Sequence, residues 1–103
     1  MITELVFIDL PKGTTRTRAL EMYRQTAGSW LANPDLVHKY YFFDEARSIG
    51  GGVYIWPSRA EAEKWHGDAY KEKVLSIYGS SPRIEILDAL IHVDPKHGQL
   101  EEL

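Results

Sequence analysis

The first apolar run, Ile2–Leu10, is rich in Ile, Leu, Val and Phe and stops at Pro11-Lys12-Gly13, so it predicts a strand closed by turn residues. From about Thr15 the spacing lengthens. Leu20, Tyr23, Ala27 and Trp30/Leu31 recur every three or four residues, as one apolar helix face does, and Asn33-Pro34 ends the run. Asp35–Asp44 carries Val37, Tyr40, Tyr41, Phe42 and Phe43, β-favouring residues over a strand's length. A polar loop, Glu45–Ser48, leads through Gly50-Gly51-Gly52 into Val53-Tyr54-Ile55-Trp56, which closes a hairpin as the third strand. Ser58-Arg59-Ala60-Glu61 has the spacing of a capping box at a helix start. Ala62, Trp65 and Ala69 share one face of that helix; after Gly67 the seam shifts to Tyr70, Val74 and Ile77, which predicts a kink or two short helices. Gly79-Ser80-Ser81-Pro82 stops it. Arg83–Asp94 alternates and reads as one long fourth strand, leaving Pro95–Leu103 as a loose or exchanged tail.

The order β-α-β-β-α-β predicts a single α+β domain over residues 1–103, ferredoxin-like, with a four-stranded antiparallel sheet. Right-handed crossovers put both helices on one side and leave the other sheet face uncovered. Neither parity of the second and fourth strands is solvent-like: Leu36, His38, Tyr40 and Phe42 oppose Val37, Lys39, Tyr41 and Phe43. A large apolar sheet face is rarely left in water, so a two-fold homodimer packed through its sheets is expected. A chain of 103 residues buries only about two-thirds of the surface its unfolded form exposes, which makes a partner subunit physically useful.

Charge and composition narrow the function classes. Twelve Lys and Arg against fifteen Asp and Glu give a formal charge of −3, so no basic field attracts a phosphate backbone and nucleic acid is not an expected partner. The sheet-based RNA-binding signature is also missing, since Gly52–Trp56 has no adjacent Lys or Arg. Without cysteine there is no disulfide, thiolate metal site or thiol nucleophile. The N-terminus lacks a leader pattern and no apolar run nears the ~20 residues of a membrane span, so a cytoplasmic location without membrane contact is expected.

Through most of its length, and most densely from Lys39 to about Gly79, the chain resembles the YdhR-like monooxygenase family of the dimeric α/β-barrel superfamily. The family pattern has Lys, a variable residue and an aromatic in strand two, then Gly-Gly-(Ile/Val)-Tyr, then an acidic, Ala-rich helix. Here these match Lys39, Tyr41, Gly51, Gly52, Val53, Tyr54 and Arg59–Glu63. The resemblance implies a ferredoxin-like subunit that packs against its copy to form a barrel, with a small pocket in each subunit. It also implies cofactor-independent oxygenation of a small aromatic or polyketide-like compound. The chain departs from the pattern at His38, where the family has Trp, and at Trp56, where it has Phe. Around Trp56-Pro57-Ser58 and Trp65 the chain is also similar to the superfamily's haem-degrading members. Leu75 stands where those carry an axial His, and Val6 where they carry Asn, so haem degradation is rejected.

Oxygenation without a cofactor needs an anion-forming substrate, an apolar pocket and a proton-accepting group. His38 and His66 are the candidate catalytic residues because histidine titrates near neutral pH, and His92 is a further titratable group. Tyr40, Tyr54, Trp56 and Trp65, with Tyr41, are the candidate substrate-binding walls; core packing and the dimer seam are the alternative roles of the same aromatics. Asp88 and His92 share a face of the expected fourth strand but lie roughly 13 Å apart by strand rise, too far for a dyad. No metal site and no cofactor are expected, since the four histidines lack ligand spacing. The triple glycine leads into a strand, so a bulge or close strand packing explains it rather than a phosphate cradle. Arg16, Arg18 and Arg24 read as a solvated helix face. Three functions fit the same residues: an oxygenase, an isomerase of the same architecture, and a non-catalytic ligand-binding or stress-response dimer.

Overall fold

The computed structural model describes residues Met1–Leu103. Four strands, β1 (Ile2–Asp9), β2 (His38–Asp44), β3 (Ile49–Trp56) and β4 (Arg83–Asp88), form one antiparallel sheet in the order β2-β3-β1-β4. The helix α1 (Arg16–Leu31) joins β1 to β2, while α2 (Arg59–Trp65) and α3 (Asp68–Tyr78) join β3 to β4. This is a small α+β domain compatible with the ferredoxin-like arrangement. No helix is long and apolar enough to cross a membrane.

Strand parity divides the sheet into two unlike faces. Ile2, Glu4, Val6 and Ile8 of β1, with Gly50, Gly52, Tyr54 and Trp56 of β3, are buried beneath the helices. The opposite parity, including Leu5, Phe7, Val53, Ile55 and Leu87, is partly buried or exposed. The helices contribute Ala19 and Tyr23 from α1, Ala62 from α2 and Val74 from α3 to the buried layer, with Trp30 and Tyr70 packed against the core. The α1 seam is therefore rotated from the one the spacing predicted: Leu31 is 90% exposed and Leu20 also faces solvent. Larger aromatic side chains decide that rotation, because Tyr23 and Trp30 bury more area than the leucines.

Several local expectations meet their physical limits here. The second helical segment is two helices, with Gly67 as the N-cap of α3. The Ser58–Glu61 capping box does not form: the Ser58 hydroxyl donates to the Glu61 carboxylate and caps no backbone N–H. Strand two starts later than Asp35, because Asn33 Oδ1 accepts from the N–H groups of Asp35 and Leu36 and folds that segment into a turn.

The expected long fourth strand is also interrupted. Ile2 opens β1 opposite Asp88, and the Ala89 N–H closes the ladder on the Met1 carbonyl, so no β1 backbone remains to pair with residues beyond Ala89. The chain instead turns into β5 (Ile91–Asp94), which pairs with β6 (Gln99–Glu102) across a 3-10 turn at Pro95–His97. Asp94 Oδ1 accepts from the His97 N–H, and Gly98, at φ 62°, supplies the left-handed step. Pro95–Leu103 thus supplies the turn and second strand of a hairpin, and Asp88 and His92 lie on different strands.

Candidate functional site

The pocket lies between the helix-facing side of the sheet and the helices α1 and α3. It has a volume of about 140 Å³ and is lined by Tyr23, Thr26 and Trp30 of α1, Lys39 and Tyr41 of β2, Tyr54 of β3, and Tyr70, Lys73 and Tyr78 of α3, among others. No Asp or Glu is in its lining. An apolar cavity of about 150 Å³ accommodates benzene, so the space suits one aromatic ring.

The triple glycine makes that space. The register of β3 against β1 and β2 is unbroken, so no bulge is present, and close packing is what the glycines serve. A Cβ on Gly50 would meet the Tyr23 hydroxyl at 2.2 Å, and one on Gly52 would meet Lys39 Cε at 3.1 Å. Tyr23 fills the room over Gly50 and Gly51: its hydroxyl donates to the Phe42 carbonyl at 2.9 Å and accepts from the Gly51 N–H at 3.0 Å. Its ring stacks on Tyr41, whose hydroxyl pairs with Thr26 Oγ1 at 2.6 Å.

Lys39 is the one basic side chain that reaches into the interior of the pocket. Alternation along β2 places it on the same side as Tyr41, beneath the helices. Its Nζ lies 3.7 Å from the Tyr41 ring centroid and 4.5 Å from those of Trp30 and Tyr54. None of the chain's ion pairs involves it. Burial pulls its pKa from the usual 10.5 down to about 7, because an ammonium taken out of water without a carboxylate partner loses its charge readily. The three ring faces return part of that cost. The phenols around it move the other way: burial, then the neighbouring Tyr70, raises Tyr54 far above the ordinary tyrosine range, and burial pushes Tyr70 up to about 12. Tyr23, Tyr41 and Tyr78 are raised by burial as well.

Behind this layer lies a sealed polar cluster. Glu4, fully buried in β1, accepts from Trp56 Nε1 at 2.8 Å and is hydrogen-bonded through the same oxygen to Nδ1 of His66, which is 4% exposed. The imidazole is enclosed by Trp30, Tyr54, Trp56 and Tyr70, with ring centroids 4.1–5.8 Å away. Glu4 Oε2 and His66 Nε2 are buried without a protein partner. Trp30, Tyr54 and Tyr70 belong to both shells, so the dyad stands one aromatic layer behind the pocket.

The residues singled out from sequence therefore separate. Tyr54, Trp56 and His66 come together, with Tyr54 on the pocket wall and the other two behind it. Trp65, partly buried against the core, lies outside the pocket lining, and its Nε1–H donates to Asp35 Oδ2 at 2.9 Å beside Lys64. That bond, followed by the one from Lys64, holds the Asp35 carboxyl below its usual pKa. Tyr40, 74% exposed, points to the open sheet face, and His38 borders an open groove with Leu36, Val37, Ala27 and Leu31. Sequence reasoning did not assign chemistry to Lys39 or Glu4. The signal existed: Glu4 interrupts the apolar parity Ile2, Val6, Ile8, and Lys39 shares its parity with Tyr41 and Phe43. No protein-family model matches the chain, and no curated protein matches it.

Proposed function

We propose that this protein is a cofactor-independent oxygenase of small, electron-rich phenols or enols, working as a homodimer packed through its open sheet faces. The observation that carries the reading is Lys39: a desolvated amine without a counter-ion, walled by Trp30, Tyr41 and Tyr54 in a pocket the size of one ring. Near neutral pH such an amine accepts the proton of a bound hydroxyl, and the ammonium it becomes then holds the phenolate it has made. The pair is worth more in this half-enclosed site than in bulk water. The electron-rich ring anion supplies electrons to dioxygen. For a phenol oxidised to a quinone, one oxygen atom enters the ring, the other leaves as water, and the substrate provides all four electrons.

The buried Glu4–His66–Trp56 cluster supports the reading by fixing the aromatic wall, since it locks Trp56 and the His66 ring beneath Tyr54 and Tyr70. The volume favours single-ring compounds over fused polyketides. Oxygen consumption with a panel of hydroquinones, catechols and anthrone-like compounds tests the proposal. A single-ring substrate is expected to be consumed with one dioxygen per turnover. Lys39→Met is expected to lower kcat by about 10²-fold or more while substrate binding stays within a few-fold. Retained binding with no oxygen uptake from any compound would leave a ligand-binding protein in its place.

A further inference from the structure

Five of the six lysines keep an exposed side chain, and one of those, Lys64, also bonds Asp35. Lys39 alone has its amine inside an aromatic enclosure, and it opens on the pocket rather than being sealed in the core. An amine is a nucleophile only through its unprotonated form, and an apolar pocket is one of the ways in which proteins produce that form at neutral pH. Three further features suit attack on a carbonyl. The pocket holds one ring, it contains no carboxylate to hold the amine as its ammonium, and the Tyr41–Thr26 hydroxyl pair stands in the same lining as hydrogen-bonding groups for a carbonyl oxygen.

We propose that Lys39 captures small aromatic aldehydes, its Nζ condensing with the carbonyl carbon of a ring held in the pocket to give a reversible imine. The Nζ lone pair adds to the carbonyl carbon, and the C=O π pair moves to oxygen. A proton passes from nitrogen to that oxygen and gives the carbinolamine. The C–O bond then breaks with loss of water as C=N forms. No oxidation state changes, so the step needs neither oxygen nor an added reductant. It rests on the same Lys39 amine as the oxygenase reading but needs no dioxygen, so labelling under nitrogen without oxygen uptake separates the two.

Incubation of the full chain with benzaldehyde under nitrogen at pH 7, with cyanoborohydride to trap the imine as a benzylamine, tests this directly by tryptic mapping. At that pH about half of Lys39 is neutral against roughly one in several thousand for an ordinary lysine, so it should be labelled at least ~10-fold faster than any other lysine. Lys73, exposed at the rim of the same pocket, is the internal control. Selectivity should vanish in urea, and in Lys39→Arg only slow, even labelling should remain. Labelling of Lys39 no faster than Lys73 in the native protein would overturn the proposal, and that comparison needs no variant to fold.

Discussion

Two ionisable groups, the buried Glu4 and the half-buried Lys39, set what single residues do here. One oxygen of Glu4 accepts from Trp56 Nε1 and is hydrogen-bonded to His66 Nδ1, so Glu4→Ala would leave both nitrogens without that partner in the core. Leaving a buried polar group without a partner costs about 1–3 kcal/mol, and with two such groups urea unfolding of this variant is expected to show a loss of several kcal/mol. Lys39 makes a different prediction, about pH. In the unfolded chain lysine keeps its proton to about 10.4, while in the folded chain burial brings that point down to about 7. Between those values the unfolded state binds more protons, so stability should rise with pH from 7 towards 10, by up to about 1.4 kcal/mol per unit. Above about 10 the sign reverses, since the tyrosines facing it, Tyr41, Tyr54, Tyr70, Tyr78 and Tyr23, keep their protons longer folded than unfolded. Lys73 at the rim is the remaining cation of the lining. Urea midpoints measured at pH 7, 8 and 9 should climb for the natural chain and stay level for Lys39→Met.

At the scale of elements, β3 is the part most tightly specified. Gly51 has φ +140°, and a Cβ there would stand 1.8 Å from the Val6 carbonyl oxygen, which is backbone and cannot rotate away. Gly51→Ala is expected to cost about 2–5 kcal/mol through combined backbone strain and overpacking. Gly28, in the exposed face of α1 with open space around its Cα, should respond oppositely: Gly28→Ala should stabilise by about 0.5–1 kcal/mol. Thermal melts of the pair separate a glycine needed for packing from one that is merely tolerated. The same close approach decides between the bulge and the close packing that the glycine run left open, and the fate of the Ser58–Glu61 motif was not legible either. A capping box and a direct Ser–Glu bond need the same spacing, and only side-chain rotamers distinguish them.

The whole molecule has two surfaces that ask for cover. Leu5, Phe7, Tyr40, Val53 and Ile55 form the open sheet face, and the β5–β6 hairpin carries exposed Leu90, Ile91, Val93 and Leu100. The Cα radius of gyration is 14.5 Å, larger than the ~13 Å of a compact chain this size, because the hairpin stands away from the body. An isolated two-stranded hairpin is marginal in water, so packing against a second copy is the cover we propose for both. Sedimentation at micromolar concentration is expected to give a dimer. Val53→Glu, which puts a charge at the middle of the face, is expected to give a folded monomer; a monomeric natural chain would refute the proposed assembly.

Local pattern by itself determined the order of elements as far as β4, because an apolar run closed by turn residues in Ile2–Leu10 and three- to four-residue recurrence after Thr15 are local consequences of strand and helix geometry. It determined that Gly67 would break a helix and that no solvent-like parity exists in strand two. Only the tertiary structure decided which face holds the pocket, since parity says that Lys39 and Tyr41 point together but not which side receives the helices. It also decided that the fourth strand stops at Asp88, where β1 has no backbone left to offer, and that His66 closes on Glu4, 62 residues away in the chain. Contacts of that separation depend on how elements pack, and no local pattern encodes them.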